Sequence, residues 1–195
     1  MSVATIDSSA ARKAMIDSQL RPSGVNDEWL LAAMGSVPRE DFVPAGARGH
    51  AYIDRAVPLG DGHALPAPLF HGRMLSEAAP RRDDRILVVS CGSDYLAALL
   101  RTLDVNVTVV SAADAAAGVK GTFSLILIDG AIEQLPAALA AALDEGGRIV
   151  TGMTQRGVTR LSSGRKIGGA VALVPLVDMG IPVLAEFAAP KSWSF

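Results

Sequence analysis

From residue 85 onward, short runs of Val, Ile and Leu alternate with segments of helical spacing. That alternation restricts the fold more than any other feature. Residues 85–89 read as a buried strand, 94–103 as a helix and 106–110 as a second strand. Residues 112–117 allow only a turn or two of helix. Then come a strand at 123–128, a helix at 134–143 and a strand at 148–153. Strands that alternate with helices imply a parallel, doubly wound α/β sheet. The tail changes character: 158–165, 171–179 and 183–187 read as strands separated by Gly and Pro. They are expected to add antiparallel strands to one edge.

The first 83 residues carry more Pro, Gly and charge. The spacing predicts helices over 10–20, over 28–34 with Asn26 or Asp27 as its cap, and over 69–79 ahead of Pro80. Residues 45–70 read as extended and loop-rich. We therefore expect one domain over 1–195, with a helical, loop-rich portion (1–83) and an α/β core with its C-terminal strands (84–195).

Composition narrows the function classes. Half of the 195 residues are apolar and 19% are charged, enough to bury a sizeable core. A formal net charge of -2 and a pI near 5.9 do not suggest a nucleic-acid or anionic-membrane partner, which would favour a basic patch. No apolar run reaches the roughly 18 residues that span a bilayer. The first 20 residues lack the apolar stretch of a secretory leader. One cysteine excludes an intrachain disulfide. These readings predict a soluble, cytoplasmic protein. His50, His63 and His71 are too scattered for a metal site, and no CxxC or HExxH is present, so no metal is expected.

Four stretches together resemble one family, the protein-L-isoaspartate O-methyltransferases. Residues 11–44, ARKAMIDSQLRPSGVNDEWLLAAMGSVPREDFVP, resemble its opening, where M-x-x-Q-L precedes V-P-R-E-x-F-V-P. Residues 51–68, AYIDRAVPLGDGHALPAP, resemble its Y-x-D-x-x-x-P-x-G-x-G-x-x-x-S-x-P segment. Residues 86–100, ILVVSCGSDYLAALL, stand where the family has V-L-E-I-G-T-G-S-G-Y. Residues 125–150 resemble a strand-helix-strand ending in P-G-G-R-L-V. The resemblance implies a Rossmann-like S-adenosylmethionine-methyltransferase fold, and an enzyme that methylates the isoaspartate carboxyl of protein substrates. It places the cofactor at the carboxyl ends of the strands, at Ser90, Gly92, Asp94, Ser111 and Asp129.

Several of these positions depart from the family pattern. The three loop glycines fall on Ser90, Gly92 and Asp94. Glycine is needed there for positive φ and for close approach of backbone to ligand. The acid that would hold the cofactor's amino group falls on Val88. The acid for the ribose hydroxyls falls on Ser111, with Asp114 three residues on, past the strand end. Asp94 is expected to cap the following helix, and Tyr95 to pack under the loop. Between Ser111 and Phe123 there is room for one crossover and none for the family's further strand, so the fold is expected to be shortened on the adenine side. On the substrate side, Asp54 matches the Y-x-D acid and is expected to pin a loop. The serine of S-x-P falls on Pro66, which has no hydroxyl.

Three further features carry readings. Asp129-Gly130 is a turn signal. Cys91, beside a helix start, is a candidate nucleophile. Arg156, Arg160, Arg165 and Lys166 read as a solvated face that an acidic partner would fit. The main expectation from these departures is a family member with an eroded cofactor site, the cleft filled by Asp94 or Val88. It would act as a non-catalytic binding or scaffold domain for a protein partner, with no cofactor. The alternative is an active S-adenosylmethionine-dependent O-methyltransferase. Edge-to-edge pairing of the tail strands allows a dimer.

Overall fold

The computed structural model describes residues 8–189. Residues 1–7, part of the segment read for a leader, lie outside them. A six-stranded mixed sheet runs in the order β4-β3-β5-β6-β7-β8. β3 (Arg85–Ser90), β4 (Asn106–Ser111), β5 (Phe123–Ile132) and β6 (Leu143–Gln155) are parallel. β7 (Val158–Ile167) and β8 (Ala170–Asp178) add antiparallel hairpins. Helices α4 (Tyr95–Arg101), α5 (Ala112–Ala117) and α6 (Ala137–Ala142) join the parallel strands. The parallel core and antiparallel tail follow the expected alternation. Only α5 stands between β4 and β5, so β4 borders the sheet, as the short connection requires.

Register fixes where the strands finish. β3 and β4 pair in step from Arg85↔Asn106 to Ser90↔Ser111, so both strands end side by side. On the other flank, Val89 is paired with Ile128. Asp129 therefore follows directly beside the end of β3. It is not the turn that Asp-Gly suggested: β5 continues through it to Ile132. The continuation is held from outside. Ala131 donates to the Pro182 carbonyl (2.7 Å) and Leu184 to the Ala131 carbonyl (2.8 Å). Gly130 makes the fit possible, because a Cβ there would stand 2.7 Å from Leu184 Cγ. The expected strand at 183–187 is absent for the same reason. Val183 makes a single bridge to Ala131, and Ala185–Phe187 closes as a 3-10 turn.

The first portion packs on the sheet through α1 (Ser8–Met15), α2 (Glu28–Ser36), α3 (Pro68–Ala78) and a small hairpin, β1 (Val57–Gly60) with β2 (His63–Leu65). The helix expected over 10–20 changes pitch after Met15 into a wider turn at Ile16–Leu20. Ser18 Oγ donates to the Ala14 carbonyl (2.6 Å), taking the acceptor that the next turn would use. Asp27 precedes α2 without capping it. Its carboxylate instead accepts from Ser76 Oγ of α3 (2.5 Å), joining the two helices. Leu30, Met34, Phe70 and Met74 share one core with Ile86–Val89 and Leu125–Ile128. Each such side chain fully buried contributes about 1.5–3 kcal/mol.

Two polar anchors hold the sheet's lower edge. Asp84 accepts from Ser124 Oγ (2.7 Å), from the Arg81 amide (2.8 Å) and from Arg148 (2.6 Å). Burial works against its charged form, but these donors outweigh it and hold the carboxyl below its ordinary 3.8. Lys166 donates to the carbonyls of Ala140 (2.9 Å) and Leu143 (2.8 Å), covering the end of α6. Arg160 pairs with Asp178 (2.6 Å), and Arg165 donates to the Gly146 carbonyl (2.8 Å). The basic group read as a solvated face is, apart from Arg156, committed to the fold's own acceptors. Among the described residues no helix is long and apolar enough to cross a membrane.

Candidate functional site

β3 is apolar and buried from Ile86 through Val89 because it lies between two parallel neighbours. Its last residue, Ser90, begins the loop. Ser90 Oγ donates to the Ser93 carbonyl (2.9 Å) and accepts from the Gly92 amide (3.1 Å), so a hydroxyl staples a turn in which the family has glycine. Gly92 has φ +94°, as the loop reading requires, and a Cβ there would stand 3.3 Å from the His63 Cβ. Ser93 Oγ donates to the Phe42 carbonyl (3.3 Å), tying the loop to the first portion. Asp94 does not cap α4. Its side chain makes no capping bond and is exposed.

The second strand end is built differently. Ser111 Oγ accepts from the Asp114 amide (3.0 Å), capping α5, and donates to Asp114 Oδ2 (2.7 Å). Asp114, expected beyond the strand, is thereby turned back beside Ser111. Between the two ends lies an open groove of about 750 Å³, lined by Asp41, Phe42, Gly92, Asp94, Val110 and Asp114 among others. Ser90 and Ser111 line it too. The expectation that Asp94 or Val88 fills the cleft is thus overturned. Val88 is buried inside β3, and Asp94 stands in the groove's wall.

Asp129, grouped with these positions, faces elsewhere. It is fully buried, with Oδ1 2.9 Å from His71 Nε2 and Oδ2 accepting from Cys91 Sγ (3.2 Å). His71 Nδ1 lies 3.2 Å from Arg39 Nη1. Arginine only donates, so Nδ1 of His71 accepts and its Nε2–H is directed to Asp129. Arg39 also donates to the Ala51 carbonyl (2.7 Å) and to the Pro66 carbonyl, and its guanidinium lies 4.8 Å from the Tyr95 ring centre. Burial pulls the His71 imidazole below its ordinary 6.5, against the pull of Asp129, and the ring is neutral. Burial first, and Asp129 second, push the Cys91 thiol well up. Cys91 is therefore a hydrogen-bond donor in a sealed cluster and no nucleophile.

Arg39 and His71 are the residues that the sequence reading missed. The one available signal was Arg39's place inside the V-P-R-E segment. Tyr95 packs under the loop as expected, buried with its hydroxyl pushed up to about 12 by burial. Asp54 pins nothing: it is exposed, and its carboxylate makes no hydrogen bond to the described residues. With Arg55 it borders a second cavity of about 600 Å³, walled by Ala67, Phe70, Met179 and Ile181. Pro66 is buried and contributes its carbonyl to Arg39. Among the described residues no group of three or more His, Cys, Asp or Glu side chains is placed to hold a metal ion.

Comparison with known proteins decides the relationship. Residues 10–119, more than half of the chain, match the family model of protein-L-isoaspartate(D-aspartate) O-methyltransferase. The protein-L-isoaspartate O-methyltransferase of Methanoculleus marisnigri is 32% identical over 203 aligned positions, covering 90% of this chain and 92% of the relative. This chain belongs to the protein-L-isoaspartate O-methyltransferase family. The family enzyme of Roseiflexus castenholzii is 31% identical, with 94% and 96% covered. Among solved structures, the family member of Plasmodium falciparum, in complex with S-adenosyl-L-homocysteine, superposes with a TM-score of 0.73 at 17% identity. That match covers 91% of this chain and 98% of the other, and it shows the family's fold in the mixed sheet described above.

The groove fits an adenosyl group in the chemistry of its walls. Phe42, Val109 and Val110 offer an apolar side for a base. Asp114 and Ser111 offer acceptors for ribose hydroxyls at the end of the second strand. Its volume lies within the range of about 300–1,000 Å³ usual for small-molecule sites.

Proposed function

We propose that this chain is an S-adenosylmethionine-dependent O-methyltransferase acting on isoaspartyl carboxyl groups of protein substrates. The observation that carries the reading is the open groove at the ends of β3 and β4, with the Asp114 carboxylate in its wall. When bound, S-adenosylmethionine supplies an electrophilic methyl group on a sulfonium sulfur. The chain's own tasks are to hold and orient. Gly92 keeps the loop free of a side chain at its tightest point. Asp114, held by Ser111, accepts from hydroxyls, and Phe42 with Val110 covers the base. An isoaspartyl carboxyl is ionised at neutral pH, near the ordinary carboxylate range. A carboxylate presented in that form would need no general base to activate it, and the groove-lining residues include no histidine. Arg55, in the apolar second cavity, supplies a positive charge for a carboxylate-bearing peptide.

A second reading, a binding domain without catalysis, is favoured by one observation. Pro66, buried and bonded to Arg39, supplies no hydroxyl where the family motif has serine. Calorimetric titration with S-adenosylhomocysteine, followed by methyl transfer from the labelled donor to an isoaspartyl peptide, separates the two. Micromolar binding with transfer supports the enzyme, and binding without transfer supports the second reading. Absence of binding overturns both uses of the groove. Asp114→Ala is expected to weaken binding about tenfold or more, the equivalent of one charge-assisted hydrogen bond.

A further inference from the structure

The Arg39–His71–Asp129–Cys91 chain spans segments that are distant in sequence and close to two different cavities. One end holds the Ala51 and Pro66 carbonyls, and Pro66 immediately precedes Ala67 of the second cavity's wall. The other end is the Cys91 thiol, one residue before Gly92 of the groove. All four side chains are sealed from solvent, so none of them can touch a ligand in either cavity. Yet every link is directional. Arg39 only donates, which leaves His71 one tautomer. That tautomer donates to one oxygen of Asp129, and the other oxygen accepts the thiol. Shifting any member misaligns the next.

We infer that this chain is a positioning relay that fixes the Ser90–Asp94 loop from the substrate-side segment. The inference rests on the proposed use of the groove for its functional meaning, but not for its test. Cys91 is the member to change first. It is the end of the relay, and its serine variant keeps a donor for Asp129. His71→Gln is the second variant, because an amide can accept from Arg39 and donate to Asp129 as the imidazole does.

Amide hydrogen exchange on the ligand-free protein reads the loop directly. In Cys91→Ala, the Gly92 and Tyr95 amides, which bond to Ser90 Oγ and Ser93 Oγ, are expected to exchange about tenfold faster, the scale of one lost hydrogen bond. Ile126 and Val150, at the centre of the sheet, should keep their wild-type rates. Cys91→Ser and His71→Gln, which each keep the chain's hydrogen bonds, should hold the loop rates within about twofold of wild type, a small fraction of one hydrogen bond. Equal acceleration at the sheet centre and the loop would make the chain a merely structural element and overturn the relay. So would unchanged loop rates in Cys91→Ala. S-adenosylhomocysteine titrated into the same variants adds a separate readout, with affinity expected to fall in Cys91→Ala and recover in Cys91→Ser. If wild type binds none, the use of the groove fails while the exchange result still decides the relay.

Discussion

Two sets of polar side chains meet at the carboxyl ends of β3 and its neighbours, and they are satisfied in opposite ways. In the groove most bonds are local, Ser90 with Ser93 and Ser111 with Asp114, each three residues apart, and Ser93 with Phe42 is a longer tie across 51 residues. In the sealed set the partners are 32, 58 and 38 residues apart. Local bonds shape two loops and leave carboxylates facing solvent, ready for a ligand. Long-range bonds consume every donor and acceptor they can reach and leave little for chemistry. The difference teaches that the most conspicuous acid–histidine–thiol cluster of this molecule belongs to its frame, and that the plain serine–aspartate pair is the one left open at the proposed site.

The contrast breaks most visibly if the sealed set is interrupted. Asp129→Ala leaves Arg39 buried without its counter-charge and the His71 Nε2–H unpaired. It is expected to cost about 3–5 kcal/mol, read as a shift in the urea midpoint. A loss below about 1 kcal/mol would mean that the cluster is looser than its distances indicate.

Acid sharpens the comparison. His71 is held below its ordinary 6.5 by burial, so the unfolded chain binds the extra proton first. Stability is complete above pH 6.5 and falls as pH drops below it, by at most about 1.4 kcal/mol per unit. A further decline belongs near and below pH 3.8, where Asp84 loses its depressed-carboxyl contribution. His71→Gln should flatten the upper limb and leave the lower one, as followed by thermal melts across that range.

The smallest effect belongs to Tyr95. Its hydroxyl is buried with no hydrogen-bond partner among the described residues, while its ring packs between Phe42 and His71. Tyr95→Phe keeps the ring and removes an unsatisfied group, so the melting temperature should stay the same or rise slightly, with a change below about 0.5 kcal/mol. A clear loss would reveal a partner that the geometry does not show.

What was legible in the sequence had short-range causes. The runs at β3, β4 and β5 are apolar enough to read as buried strands. Gly92 reads as positive φ because nothing else is cheap there, and the brevity of 112–122 forbids another strand. What was not legible needed partners far along the chain. Asp129-Gly130 has the chemistry of a turn, and only Leu184 and the 182–184 segment make it a strand. His71 and Arg39 look ordinary until folding brings Asp129 to them. The expected erosion of the groove had a similar cause. Glycine was replaced at two loop positions, but Ser90 rebuilt the turn with its hydroxyl and Asp94 faced outward, so lost motif letters did not close the space.

The sheet's border at β4 has one more consequence. A strand with a neighbour on one flank only leaves half its main-chain donors and acceptors for water or for another polypeptide. The far border, β8, carries Pro175, which lacks a donor and resists such pairing. β4 contains no proline and no charged residue, and its polar side chains are Asn106, Thr108 and Ser111. When this protein is concentrated or stored, clumping should therefore begin at the β4 rim, and a lysine placed at Thr108 is the simplest preservative.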